Sequence, residues 1–323
     1  MDLLRDPDID LAPLNGQRIA VIGYGNQGRA QAQNLHDGGF DVVVGLREGS
    51  SSVAKVEADG LSHALPADAV KGAALTMMLV PDEVMTAAYG QIAEHLPPGS
   101  ALGFSHGLAV HFGFIVPRDD LDVVMLAPKG PGTALRWLYK DGKGMIGLWA
   151  VAQDASGQAA AIAQAYGKAI GCARAGLISS DFAQEAEADL FNEQAVVWGG
   201  VPALLQAGFE VLVEAGYSEE LAYFECVSEL KLLADLIEAR GIAGMREAIS
   251  NTAELGAVLG GPKMVDDGIK AKMRAILAEV RAGQFAQALK DEEASGYPLL
   301  KKARADARAE AHEKVRERLT RLT

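Results

Sequence analysis

Two carboxylate pairs carry the chemistry this chain could do. Asp189 and Glu193 stand in DLFNEQ, and Glu225 and Glu229 in FECVSEL. Each pair is spaced i, i+4, so a helix of about 3.6 residues per turn sets both carboxylates on one face, where they repel unless a cation joins them. All-oxygen sets of this kind suit hard cations such as Mg²⁺, which bind through a few carboxylates and keep waters for a substrate to displace. The alternative is an ordinary solvated helix face. The sequence neighbours weigh against it: Leu190, Phe191, Val196, Val197 and Trp198 flank the first pair, and Phe224, Val227, Leu230, Leu232 and Leu233 the second.

A second constellation lies near the start. Gly23, Tyr24, Gly25, Asn26, Gln27 and Gly28 follow the apolar run RIAVI and open a helical stretch. That context gives a GxGxxG pattern its meaning: the glycines make the tight turn, admit a pyrophosphate against the backbone, and let helix and strand approach. After the next apolar run comes Arg47, with Ser50 and Ser52 close behind, where an enzyme selective for NAD would place an acid. A guanidinium and hydroxyls suit the 2′-phosphate of NADPH instead. The competing reading is a surface arginine and a plain helix cap before Val53. Asp82 in VPDE opens a helix and has the position of a cap, at an edge where this fold meets adenine.

Elements must position these groups. RIAVIG, DVVVGL, ALTMMLV, SALGF and DVVMLAP read as buried parallel strands, with helices over Gln27–His36, Asp82–His95 and Ser156–Ile170. From about Asp181 the strand-like runs stop and helical spacing continues, punctuated by Gly199-Gly200, Gly216, Gly241 and Gly260-Gly261-Pro262. The expected architecture is α/β: a doubly wound, Rossmann-like parallel sheet over residues 1–180, then an all-helical domain over 181–323. His106 and Lys129 fall in loops after strands, at the edge where such sheets bind ligands.

Composition narrows the partners. The chain has 323 residues, 49% hydrophobic and 23% charged, with a net charge of −13. That charge disfavours nucleic acid and anionic membranes as main partners. No apolar run approaches the roughly 20 residues of a membrane span without polar interruption, and Met1–Leu11 is acidic rather than a basic signal-peptide start, so the expectation is a cytoplasmic protein. Cys172 and Cys226 lack CxxC spacing and are expected to be buried thiols.

GYGNQG, VGLREGSSS, VPDE, FSHG, APKGPG, DLFNEQAV, AYFECVSELKL and ISNTAE, in this order, resemble the ketol-acid reductoisomerase family in its shorter, single-helical-repeat class. The resemblance spans nearly the whole chain. It implies conversion of 2-acetolactate, or its ethyl homologue, to a dihydroxy acid on the route to branched-chain amino acids, by Mg²⁺-dependent alkyl migration followed by NADPH reduction. It further implies two Mg²⁺ ions, with Asp189 bridging them, Glu193 on one, and Glu225 and Glu229 near the other. The two pairs would come from different subunits, making a homodimer the smallest active unit, and the helical domain would be knotted. Glu229 is the implied proton handler, His106 the active-site histidine, and Lys129 an electrostatic partner close to metal-bound water or substrate. Ser250 would bind the substrate carboxylate, although it is equally placed to cap a helix. Gly132 would touch the cofactor.

Three positions depart from the family pattern. Thr133 stands where His is common, Asn192 where Gly is, and Trp198 where a small side chain such as Cys is. The resemblance puts Trp198 at the substrate wall, although on an ideal helix it lies about half a turn from Asp189. These departures leave open a relative acting on a different 2-hydroxy-3-keto acid. An NADP-binding redox sensor would not need the acid pairs, and a metal-free hydroxyacid dehydrogenase would lack them. Assembly beyond a dimer stays open.

Overall fold

The computed structural model describes residues 3–320. The chain divides into two compact units, with the boundary between Ala186 and Glu187.

In the first unit, continuous apolar runs form the centre of a single sheet made of β1 (Leu3–Leu4), β2 (Arg18–Ile22), β3 (Asp41–Gly45), β4 (Ser62–Ala64), β5 (Ala73–Met78), β6 (Ala101–Phe104), β7 (Asp122–Pro128), β8 (Gly147–Gln153) and β9 (Leu177–Ser179). Their spatial order is β1-β9-β8-β7-β6-β5-β2-β3-β4. The five strands read from the sequence are β2, β3, β5, β6 and β7, and they pair in parallel. The reading missed β1, β4, β8 and β9; β8 runs antiparallel to β7 and alternates only loosely between buried and half-buried residues.

Successive side chains of a strand point to opposite faces, which splits the core in two. Ile19, Val21, Val42, Val44, Leu75, Met77, Val124 and Leu126 pack on one side. Ala20, Ile22, Val43, Met78, Leu102, Phe104, Val123 and Met125 pack on the other. Each large side chain buried this way contributes about 1.5–3 kcal/mol, so the sheet is stabilised on both faces.

Helices α1 (Asn26–Asp37), α2 (Val53–Ala58), α3 (Pro66–Ala69), α4 (Asp82–Ile92), α5 (Leu108–His111), α6 (Gly132–Lys140) and α7 (Ala159–Ala169) connect the strands. Helix α7 starts three residues later than its sequence suggests. The Ser156 hydroxyl instead donates to Asp122 (2.6 Å) and accepts from the Gln158 amide (3.0 Å), holding a turn. The chain leaves β2 toward β3 and then returns to place β5 on the other side of β2. That reversal opens a crevice at the carboxyl ends of the strands.

Helix α8 (Phe182–Asn192) carries the chain across the boundary. Beyond it lie α9 (Gly200–Glu214), α10 (Glu219–Tyr223), α11 (Leu230–Ala248), α12 (Asn251–Met264), α13 (Asp267–Arg281), α14 (Gln284–Ala294), α15 (Pro298–Ala309) and α16 (Ala311–Thr320). Gly216 and Gly241 take positive φ (91° and 68°) and do interrupt the helices. Gly260-Gly261-Pro262 do not: α12 runs through them to Met264. Pro262 removes one amide donor from the last turn, and the helix stops two residues later.

One helical stretch is more apolar than its interrupted sequence suggests. The continuous stretch Phe182–Glu214 is 33 residues long, with a mean hydropathy of 1.6 over 18 of them, long and apolar enough to cross a membrane. Looking for uninterrupted apolar runs passed it over because Asp189 and Glu193 fall within it. Only 6% of the apolar window is buried; within the helical unit Phe209, Ala222 and Val315 form one small buried cluster, and Leu190, Val280 and Ala286 are buried elsewhere.

Candidate active site

The carboxyl edge of the sheet gathers the first group of candidates. Gly23 ends β2 with φ +101°, and a Cβ there would lie 2.7 Å from the Leu79 carbonyl oxygen. Gly28 is equally constrained, since its Cβ would meet the Gly23 oxygen at 2.5 Å. Gly25 is different: nothing lies within 4 Å of a Cβ built on it. The fold therefore requires Gly23 and Gly28, whereas the open space at Gly25, the N-cap of α1, fits a ligand's approach to the helix amino end.

Beside this turn lies a cavity of about 490 Å³, lined by Gly23, Tyr24, Gly25, Arg47, Ser50 and Ser52 among others. Arg47 is exposed at the mouth. The Ser50 hydroxyl accepts from the Ser52 amide (3.3 Å), and neither serine side chain caps α2. Arg47 and the two hydroxyls give this cavity groups able to donate to an anion.

Tyr24 ties the glycine turn to the carboxyl end of α2. Its hydroxyl donates to Asp59 at the end of α2 (2.8 Å), and Arg29 grips the same carboxylate with two bonds of 2.7 and 2.9 Å. The Arg29 bonds, joined by that from Tyr24, hold the Asp59 carboxyl below the usual range. Burial first, then the bond to Asp59, pushes the Tyr24 phenol well above its ordinary value. Nothing in the sequence pattern singled out Asp59.

Gly132 lines a neighbouring cavity together with Tyr24, Gly25 and Asn26, and it packs closely there, because a Cβ would sit 2.2 Å from the Asn26 oxygen. The Asn26 side chain also accepts from the Thr133 amide (3.3 Å), and Gln27 donates to the Gly130 carbonyl (2.8 Å). The fingerprint and the APKGPG loop are thus interlocked.

A second cluster forms around a residue the sequence reading missed. Glu185 on α8 has a side chain only 1% exposed. It accepts from the Gly107 amide (2.8 Å) and from the Lys129 ammonium (3.2 Å). His106 lies between two acids, with Nε2 3.8 Å from Glu185 and Nδ1 3.5 Å from Asp82. Gly107 is obligatory, since a Cβ would fall 2.2 Å from the Phe182 oxygen. The loops after β6 and β7 therefore converge on one carboxylate, and His106 stands between it and Asp82 at the start of α4. Asp82 is not the cap of α4, because Pro81 holds that position. The missed signal was available: Glu185 precedes Asp189 by four residues, so Glu185, Asp189 and Glu193 form one i, i+4, i+8 row.

The acid pairs stand in a local structure that periodicity did not suggest. Glu193–Val197 and Phe224–Ser228 are π-helical turns, one beginning at Glu193 and the other enclosing Glu225. Such turns insert an extra residue and concentrate at functional sites. Gly199 and Gly200 accommodate the first, because Cβ atoms there would meet the Gln194 and Ala195 oxygens at 2.0 and 2.5 Å. One inserted residue turns the helical frame by about 100°, so Trp198 lies about a quarter turn from Asp189 instead of half. Trp198 is 70% exposed.

Asp189 and Glu193 are half-buried, and Glu225 and Glu229 are exposed. Among the described residues, no three of these four acids approach one another closely enough to hold one ion. Ser250 caps α12, accepting from the Ala253 amide at 3.2 Å, with its side chain at the surface. Of the two cysteines, only Cys172 is buried; burial pushes its thiol up to about 12, whereas Cys226 is partly accessible.

Residues 13–176 match the family described as acetohydroxy acid isomeroreductase, NADPH-binding domain, and residues 182–323 match ketol-acid reductoisomerase, C-terminal domain. An NADH-preferring ketol-acid reductoisomerase from an uncultured archaeon is 43% identical, with a TM-score of 0.96, over 100% of this chain and 99% of that one. More distant structures share the fold alone. A putative oxidoreductase from Jannaschia sp. is 15% identical at TM-score 0.61, covering 85% of this chain and 97% of its own. A semialdehyde dehydrogenase NAD-binding protein from Cupriavidus necator is 20% identical at 0.59, covering 82% and 99%. The chain belongs to the ketol-acid reductoisomerase family and is an oxidoreductase and isomerase that uses a nicotinamide cofactor.

Proposed function

We propose that this enzyme converts 2-acetolactate, or 2-aceto-2-hydroxybutyrate, to the corresponding 2,3-dihydroxy acid, with NADPH and two Mg²⁺ ions. The observation that carries the reading is the polar cluster on Glu185, next in its helical row to Asp189 and Glu193. Asp189, Glu193, Glu225 and Glu229 would hold the metal, a donor set of carboxylate oxygens suited to Mg²⁺. Bound there, the ions would supply Lewis acidity for alkyl migration, and NADPH would supply hydride for the ketone that results.

The remaining work falls to this chain's own groups. Lys129 places a positive charge where negative charge develops on substrate oxygens, and Glu185 fixes its ammonium. His106, braced by Asp82 and Glu185, orients that edge. Glu229 takes and returns the substrate hydroxyl proton, and Ser250 binds the carboxylate. Trp198 closes the apolar side of the pocket. Gly23–Gly28 and Gly132 position the cofactor, with Asp82 near the adenine edge. Arg47, Ser50 and Ser52 favour NADPH, in contrast to the cofactor preference named for the archaeal relative.

The reading includes a homodimer as the smallest active unit. Eighteen large hydrophobic side chains are exposed on the helical unit, against four on the sheet unit, among the described residues. Leu204, Val211, Leu232, Ile242, Leu255 and Leu259 are each more than half exposed. Apolar surface on that scale marks an interaction surface, and an all-helical unit of this kind is completed by a second copy.

The direct test is spectrophotometric: oxidation of NADPH with 2-acetolactate, with and without Mg²⁺. Turnover that requires the metal supports the reading. Turnover of another 2-hydroxy-3-keto acid alone would move the enzyme to a different substrate, and no metal dependence would overturn the roles of the four acids.

A further inference from the structure

We propose that Gln31 is a positioning residue that sets the loops carrying His106 and Lys129 against the cofactor turn. Gln31 is completely buried at mid-helix in α1, among Ala30, Ala32 and Leu35. Its amide nitrogen has two hydrogens and spends both, on the Gln27 side-chain oxygen (3.0 Å) and the Ser105 hydroxyl (3.1 Å). Its amide oxygen accepts from the buried hydroxyl of Tyr166 on α7 (2.7 Å). Gln27 then uses its own nitrogen on the Gly130 carbonyl (2.8 Å).

The chain of bonds has a specific reach. Ser105 immediately precedes His106, Gly130 immediately follows Lys129, and Gln27 belongs to the glycine turn. One interior amide thus joins the exits of β6 and β7 to the start of α1. Packing does not ask for an amide here, since a flexible apolar side chain of similar volume would fill the space. A buried network whose members are all satisfied fixes geometry instead, because any displacement strands a polar group away from water. His106 and Lys129 reach Glu185 from separate loops, so a shift of either loop disturbs both contacts.

The catalytic consequence rests on the proposed function; the network itself does not. Two readouts keep them apart. Amide hydrogen exchange of Gln31→Met, measured without substrate, is expected to rise at residues 104–108 and 128–132 and to stay unchanged in β2 and throughout the helical unit. Turnover is expected to fall roughly tenfold, with the KM and the NADPH Kd within about twofold of the parent. Exchange that is unchanged, or that rises evenly across the sheet, would overturn positioning in favour of no role or simple stability. Should Gln31→Met fail to fold, Tyr166→Phe and Ser105→Ala each remove one bond to the same amide. Their effects on exchange at 104–108 and 128–132 must then be non-additive in the double variant, and additive effects would overturn the hub. A parent enzyme inactive on 2-acetolactate would sink the substrate assignment while the exchange result still decides the network.

Discussion

The sheet unit and the helical unit solve burial differently. In the first, the central strands find cover on both faces, and buried polar groups such as Gln31, Asn34 and Asp122 have partners within the unit. In the second, helices with comparable apolar content leave Val211, Leu232 and Ile242 exposed, and a core of three fully buried residues anchors α9, α10 and α16. The proposed acid pairs lie on the side with more exposed apolar surface, and among the described residues no three of the four come close enough to share one ion.

The largest expected effect breaks the helical side of this contrast. Asp189→Asn replaces a carboxylate that could bridge two hard cations with a neutral amide, and isomerisation is expected to fall about 10²–10³-fold, the scale of lost electrostatic stabilisation. Reduction of an already rearranged 3-hydroxy-2-keto acid should suffer less. Normal isomerisation in a variant with parental circular dichroism would remove Asp189 from the site.

Arg47→Asp probes the sheet side. NADPH Kd should rise on the order of tenfold or more, since a charge-assisted pair with a phosphate is lost and a repulsion added. NADH should be affected far less. Equal losses with both cofactors would show that Arg47 does not read the 2′-phosphate.

How far the sequence reaches follows the same division. Parallel strands were legible because RIAVIG or DVVMLAP is buried on both faces and therefore apolar without interruption. Loosely alternating β8, paired antiparallel to β7, was not. Gly23 and Gly28 were legible as a fingerprint, but their different reasons appeared only with the Leu79 and Gly23 carbonyls in place. Glu185 was overlooked because one acid in a helix rich in acids carries no local mark of burial; its importance comes from Lys129 and Gly107, far away in sequence. The π turns escaped for a related reason, since the 3.6-residue period was assumed through the stretches where it fails.

Trp198→Cys sharpens the contrast at the pocket wall. If the indole closes the substrate side, the ratio of kcat/KM for the ethyl over the methyl substrate should rise about tenfold, in line with the roughly 1–3 kcal/mol that one methylene commands in a tight pocket. An unchanged ratio in an active variant would assign Trp198 to packing.

The smallest effect concerns the clamp within the sheet unit. The folded Asp59 carboxyl is held below its ordinary value, so its pairing with Arg29 and Tyr24 stabilises the fold above that value and is lost as pH falls through the lowered one. Asp59→Asn should therefore lower Tm by a few degrees at neutral pH, with parent and variant converging in acid. A difference that persists unchanged in acid would mean that the amide disrupts packing rather than charge pairing.

Subunit complementation tests most directly whether two copies build each site. Asp189→Asn and Glu229→Gln are prepared as separate inactive proteins, dissociated, mixed in equal amounts and reassembled. If the acid pairs of one site come from different chains, a mixed dimer holds one doubly altered site and one intact site, and random mixing restores about a quarter of parental activity. If both pairs of a site belong to one chain, every site in the mixture keeps a lesion, and activity stays at the level of the single variants.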